Sequence, residues 1–473
     1  MRRLIVSCDG TWQSALYQED PRKYTNNTRL DSSFNRQDTR HSPPIEQIKL
    51  YVPGLGTGQE LMIGAMSAAL GEGCTERVRE AYYWLCQNYE AGDEIHLYGF
   101  SRGGYLARLL ASLISLVGLL HRSSSLLPEL FSILLSKRSL ETKRGRRQYD
   151  ALTKLVESDE IQQRKQDQIR ARPGGFLVQV LGLFETVPLF HLHTIEPGKD
   201  LERVQNPFGL SDCDLEPEIE RVFQALAVSE VRPSYAPLIL KRDTKNKGQE
   251  LLQVWFPGCH SDVGGGDVSD HDLADISLDF MVGHIKDYVS LNIEYIAKQS
   301  SNATAPWGSH KPHESVNVAI RKVPRHPPHG TDDTTFQHLH RSILEQNPLD
   351  LPADLRPLLE ISDHEVFLPL TLFERERKAT WPVQPAVPVP EPLPLSAQSP
   401  SPSSPRIVRE APTVFHAAGR EAEEKEGNVV VANSLAGHTM LRRGFDTAVT
   451  FERNLVSGFQ ELRDKARGAG DRL

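Results

Sequence analysis

A serine that attacks an ester carbonyl needs its hydroxyl held out at a sharp turn, a base within hydrogen-bond reach, and an acid to orient that base. Residues Gly99-Phe100-Ser101-Arg102-Gly103 fit the G-x-S-x-G pattern of a nucleophile elbow. Glycine two positions either side of Ser101 removes β-carbons that would strike the neighbouring strand or helix at so tight a bend. Two ordered sets of partners follow the serine. The first is Ser101, Glu185 and His260, each just past the end of an expected buried strand. The second is Ser101, Asp262 and His313, with the acid after the late strand and the base in the segment Trp307 to Ser315. We prefer the first, because His260 directly follows a strand and is flanked by Gly258 and Gly264, whereas no clear strand precedes His313. In that set Asp262 is expected to steady its loop or to accept bonds from the Gly264 and Gly265 amides.

Negative charge developing on a tetrahedral intermediate must meet preorganised N–H donors. The expected donors are the Arg102 amide at the start of a helix and Gly10 or Thr11 in the loop after the first strand. Asp9 is expected to hold that loop and take no part in the chemistry. A strand followed by D-x-D-G-T is also the pattern of haloacid-dehalogenase-like phosphatases. Here Ser7 stands where their nucleophilic aspartate belongs, which removes the essential residue from that reading. His191 and His193 could share a strand face for a metal, but without a third ligand at sensible spacing they read as a surface pair, and no metal or cofactor is expected.

The elements that must position these groups alternate. Residues 3–8 form a short apolar run suited to a strand buried on both faces of a parallel sheet. A polar loop to about residue 45 follows, then a strand Ile48 to Val52 ending in a Gly-rich turn, a helix Cys74 to Tyr89, the elbow strand Glu94 to Phe100 and an apolar helix from Tyr105. A strand from Gly175 to Leu183, a helix from Glu218 to Val228, a strand from Glu250 to Phe256 and a helix from Asp272 to Tyr288 complete the series. Strands that alternate with helices and end in Gly, Pro and polar residues predict a doubly wound, mostly parallel α/β sheet with its site at the strands' carboxyl ends. Residues 120–172 are expected as a helical insertion, in which Lys143-Arg144-Gly145-Arg146-Arg147 is a candidate for peripheral contact with phospholipid head groups.

The catalytic unit is therefore expected over residues 1–375. The nine prolines of residues 382–405 mark a disordered linker over 376–430, and residues 431–473 a tail with an amphipathic helix through Phe445, Ala448, Leu455, Phe459 and Leu462. That tail suggests a second reading: a catalytically weak hydrolase-like scaffold that recruits a protein partner through its Pro-rich segment. A net charge of −8 gives no nucleic-acid signature. Five scattered cysteines, no C-x-x-C pair, no signal-peptide pattern and no membrane-spanning stretch point to a cytoplasmic protein. Asn26-Asn27-Thr28 fits a glycosylation acceptor but reads as a polar loop in that setting.

Cys8-Asp9-Gly10-Thr11-Trp12, the elbow through Arg108, Glu185-Thr186-Val187 and the run from Trp255 to Gly266 together resemble one family. It is the α/β-hydrolase family that includes the catalytic domain of bacterial type VI secretion phospholipase effectors and many uncharacterised fungal members. The resemblance covers roughly residues 1–340. It implies an α/β-hydrolase fold with a Ser-acid-His triad acting on ester bonds, with phospholipids the substrate of the effector branch. The family usually has Asp-Thr-Val where Glu185-Thr186-Val187 stands. The extra methylene displaces the carboxylate by about 1.5 Å, so Asp262 stays open as the acid.

Overall fold

The computed structural model describes residues 1–382 apart from 12, 17, 19, 57–65, 136–142, 189–212, 267–271, 300–302, 316–321 and 362–363. In chain order the elements are β1 (Arg3–Cys8), α1 (Asn26–Ser33), β2 (Gln37–Asp38), β3 (Ile45–Val52), α2 (Met66–Asn88), β4 (Glu94–Phe100) and α3 (Arg102–Val117). The insertion contributes α4 (Leu126–Leu135), α5 (Lys143–Val156) and α6 (Asp159–Arg170). Then come β5 (Val178–Phe184), β6 (Ile219–Ala227), β7 (Glu250–Phe256), α7 (His260–Gly264), α8 (Asp272–Ile285), α9 (Ile293–Gln299), β8 (Gln337–His340), β9 (Phe367–Leu368) and α10 (Leu372–Ala379).

The strands form one sheet in the order β2-β3-β1-β4-β5-β6-β7-β8-β9. Every pairing is parallel except β2 with β3. The order turns at β1, where the chain passes outward to β3 and then back to β4, as the doubly wound expectation requires. Alternation along each strand supplies both faces with apolar side chains. Leu4, Val6, Ile95 and Leu97 join a core with α2, α3 and the insertion helices, while Ile5, Tyr98, Phe100 and Val180 join a second core with α1, α8 and α9. Each such fully buried aliphatic side chain contributes roughly 2 kcal/mol. The helix α3 carries the first core's centre, with Leu106, Leu109, Leu110, Leu113 and Ile114 all at 2% exposure or less.

Several expectations change. The segment expected as a helix from Glu218 to Val228 is β6, hydrogen-bonded between β5 and β7. The first helix of the second layer, α1, lies inside the stretch read as a polar loop. Asn26 starts that helix instead of decorating a surface: it is fully buried and its side-chain amide donates to the carbonyls of Val263, at 2.9 Å, and Ala274, at 2.7 Å. Packed structure also runs past residue 375, because α10 continues to Ala379, Arg377 pairs with Asp279, and the Trp381 indole donates to the Ala305 carbonyl. The insertion is helical as expected, with the first basic residues at the start of α5; of those side chains only Arg147 is described, and it is exposed. The expected tail helix, nearly all of the linker, and His191 and His193 lie outside the described residues.

Candidate active site

The parallel strands β4, β5 and β7, the last two separated by β6, end on the same edge of the sheet, and each is followed there by one polar side chain. After Phe100 the backbone reverses at Ser101, which adopts φ 58° and ψ −127°, a conformation rarely taken by an L-residue with a side chain. The turn is held from below by a hydrogen bond of 2.9 Å from the Ser101 amide to the Phe184 carbonyl at the end of β5. Glycine is compulsory at Gly103, where a β-carbon would lie 2.3 Å from the Asp9 carbonyl oxygen. Glu185 follows β5 directly, also at positive φ (49°), and its amide donates to the Ala225 carbonyl. His260 opens the short helix α7 two residues beyond the positive-φ Gly258.

These three side chains meet. His260 Nε2 is 2.9 Å from Ser101 Oγ, and His260 Nδ1 is 2.9 Å from Glu185 Oε2. Ser101 is 3% exposed, His260 5% and Glu185 0%, so the relay is shielded from bulk water. The imidazole is sandwiched by the Phe100 ring, stacked at 4.9 Å, and the edge of Tyr235 at 4.7 Å. Burial holds the His260 pKa below its ordinary value, against the opposing pull of the Glu185 carboxylate. Glu185 behaves differently. Burial alone would raise it, but the Arg325 charge, together with hydrogen bonds from His260 and Arg325, brings it down to about 2.

The second set of residues is arranged otherwise. Asp262 Oδ1 accepts from His313 Nδ1 at 2.5 Å, while its Oδ2 accepts from the amides of Cys259, at 2.8 Å, and His313, at 3.0 Å. Asp262 thus ties the loop that carries His260 to the segment at 313, and the imidazole between a carboxylate and Ser101 is that of His260. The expected bonds to Gly264 and Gly265 are replaced by this pairing; the Gly265 amide donates to the Ser261 carbonyl.

Among the expected oxyanion donors, Arg102 is the first residue of α3, whose amide stands at the free N-terminal end of the helix. The loop after β1 lies against Ser101: a β-carbon on Gly10 would lie 3.3 Å from Ser101 Cβ. Gly10 itself is corrected as a donor, because its amide is already given to Asp9 Oδ1 at 2.9 Å. Thr11 is next in that loop, and its hydroxyl is buried without a hydrogen-bond partner among the described residues. Asp9 holds the loop as expected, accepting from Thr25 Oγ1 at 2.7 Å, Thr28 Oγ1 at 2.5 Å and the Tyr51 hydroxyl at 2.7 Å.

Three groups around the site escape sequence reasoning. Arg325 forms a two-pronged ion pair with Glu185. Glu230 accepts the His260 amide at 3.3 Å and pairs with Arg232. Tyr235 lies under both the Arg232 guanidinium, at 3.5 Å, and that of Arg102, at 4.7 Å. Glu230 and Tyr235 follow β6, so misreading β6 as a helix hid their approach to the strand ends. No cluster of side chains suited to a metal occurs among the described residues. None of their helices is long and apolar enough to cross a membrane.

Residues 2–284 match the family described as "T6SS, Phospholipase effector Tle1-like, catalytic domain". An uncharacterized protein of Saccharomyces cerevisiae, YEL023C, is 30% identical over 134 residues, which span 26% of this chain and 18% of that protein. A crystal structure of an uncharacterized protein from Pseudomonas aeruginosa superposes with a TM-score of 0.32 at 17% identity, over 62% of this chain and 47% of that chain. A structure of the Tle1 effector bound to the VgrG spike of the type 6 secretion system gives 0.29 at 20% identity, over 56% and 51%. The chain therefore spans about half the length of the two solved chains and less than a fifth of the yeast relative.

Proposed function

The chain belongs to the family of Tle1-like phospholipase effector catalytic domains, and from that premise we propose that it is a serine hydrolase of carboxylic esters, with phospholipids as its substrate class. The observation that carries the reading is the continuous relay from Glu185 through His260 to Ser101, with two hydrogen bonds of 2.9 Å at the carboxyl edge of the parallel sheet. A neutral imidazole accepts the Ser101 proton as the oxygen attacks the acyl carbonyl. Glu185 keeps the remaining N–H on Nδ1 and stabilises the imidazolium that forms. The tetrahedral oxyanion turns toward the Arg102 amide and the Thr11 end of the neighbouring loop. Collapse expels the alcohol, which takes its proton from His260. Water then enters by the same route, gives His260 a proton and releases the acid from Ser101.

An assembled relay at a strained elbow supports catalysis over a scaffold role, since a pure binding module gains nothing from holding Ser101 at positive φ. The phospholipid assignment rests on the family. It also fits peripheral contact with a lipid surface through the basic start of α5. The decisive experiment labels the purified protein with a fluorophosphonate and assays it on p-nitrophenyl butyrate and on phosphatidylcholine vesicles. Labelling and hydrolysis of both are expected, with Ser101→Ala lowering turnover by about a thousandfold or more. Absence of labelling together with absence of Ser101-dependent hydrolysis would overturn the reading.

A further inference from the structure

We propose that Arg325 is a positioning residue: it grips both carboxylate oxygens of Glu185 and through them fixes the orientation and the proton affinity of His260. This rests on the reading of Ser101, His260 and Glu185 as the catalytic set. Arg325 Nη1 lies 2.8 Å from Glu185 Oε1 and Nη2 2.9 Å from Oε2, so the guanidinium fork meets both carboxylate oxygens. The same two nitrogens donate to the carbonyls of Ala227, at 2.7 Å, and Tyr235, at 2.5 Å. The fork is thus anchored to the end of β6 and to the loop whose tyrosine ring borders His260. Arg325 is 7% exposed and Glu185 fully buried, so the pair is set deep behind the imidazole.

Glutamate needs this support for a geometric reason. Its carboxylate hangs on one more rotatable bond than an aspartate's, and each free torsion loosens the aim at His260 Nδ1. Arg325 and the Ala227 amide, 2.5 Å from Oε1, remove that freedom by engaging Oε1 and leaving Oε2 shared between the fork and the imidazole. The second effect is electrostatic. A cation on the far side of the carboxylate drains its proton affinity, so the Nδ1 proton stays on the ring while the carboxylate stays ionised.

Among the described residues, the charged and titratable groups facing the relay are few. Glu185 meets Arg325 and His260; His260 meets Ser101, Glu185, the Glu230–Arg232 pair at its amide, Tyr235 at its ring edge and the adjoining buried Cys259. Arg102 reaches Tyr235 from its other contact. Removing Arg325 leaves Glu185 as a buried carboxylate whose only remaining direct cation among the described residues would be protonated His260. The Glu185–His260 dyad then takes up a proton at higher pH, whichever of the two atoms carries it.

The test uses the full chain with Arg325→Met and Arg325→Lys. It reads the pH dependence of kcat/KM on p-nitrophenyl butyrate and, separately, the NMR titration of the His260 ring in histidine-labelled protein. Arg325→Met is expected to lower kcat about 100-fold with little change in KM and to move both the acid limb and the ring titration up by about one pH unit. Arg325→Lys restores the charge without the fork, so the acid limb returns toward that of the wild type while kcat stays low. A folded Arg325→Met protein with an unshifted acid limb and ring titration would reduce Arg325 to a structural ion pair and overturn the proposal. Should the methionine variant fail to fold, wild-type kcat in Arg325→Lys overturns it instead. Hydrolysis by the wild type that survives Ser101→Ala overturns the hydrolase reading alone, and the ring titration still decides the part played by Arg325.

Discussion

The Phe100 ring lies so close to Gly264 that a β-carbon at residue 264 would sit 1.9 Å from Phe100 Cε2. The same ring stacks on His260 at 4.9 Å. The last residue of β4 therefore sets the place of the proposed base, His260, as well as that of the proposed nucleophile, Ser101. Gly264→Ala must push the ring into the imidazole or open α7 from the sheet. It is expected to cost about 1–3 kcal/mol of stability and to lower kcat by roughly 100-fold, read by melting and by ester hydrolysis of the soluble fraction. Unchanged turnover would mean that Phe100 can move without disturbing His260.

The two histidines make separable predictions. Among the described residues His260 alone bridges a carboxylate and Ser101, whereas His313 pairs with Asp262 and is about one-third exposed in its side chain. His260→Gln is expected to lower kcat by about a thousandfold or more, and His313→Gln by less than about threefold. Asp262→Asn should fall between them. It loses an acceptor for the Cys259 amide or for His313, which loosens the loop without removing the base. A His313→Gln enzyme as dead as His260→Gln would restore the alternative set.

What the sequence made legible was whatever is local or periodic. Ser101 was readable because its glycines are neighbours and its strand is apolar. Glu185 and His260 were readable as polar residues abruptly ending buried runs. In β6, by contrast, Ile219, Val222, Phe223 and Leu226 fall at helical spacing, and both sheet faces are covered, so no polar alternation betrays the strand. Arg325 lies 140 residues from Glu185 and belongs to no strand or helix, so no periodicity could bring the two together. The polar residues of α1 read as solvated because their buried partners, the Val263 and Ala274 carbonyls, come from distant segments.

Asp9 offers a stability prediction. Burial raises its pKa, against the hydrogen bonds from Thr28, Tyr51, Thr25 and the Gly10 amide. Since the carboxylate accepts from four donors, an asparagine there must turn an NH2 toward hydroxyls or the amide and forfeit part of the set. Asp9→Asn is expected to cost about 3 kcal/mol and to lower turnover by loosening the loop against Ser101. Denaturant unfolding measures the first and ester hydrolysis the second. Wild-type stability would show that the hydroxyls can rotate to other acceptors.

Glu185→Gln gives a pH shift opposite in sign to that expected on removing Arg325. In the wild type, burial lowers the His260 pKa and Glu185 raises it, so the acid limb of kcat/KM should lie below the ordinary histidine value of 6.5. Because that folded-state pKa is depressed, His260 contributes stability above pH 6.5 that is lost as pH falls through the folded value. Glu185, lowered from 4.5 to about 2, does the same at lower pH, its contribution vanishing across that window. Replacing its carboxylate with a neutral amide removes the influence that raises His260, so the acid limb moves further down. The amide can also hold the wrong tautomer, and turnover should fall by about 10⁴. Arg325 meanwhile becomes a buried guanidinium without its anion, a loss of about 3–5 kcal/mol. An acid limb that stays in place in Glu185→Gln would mean that the carboxylate does not govern the imidazole.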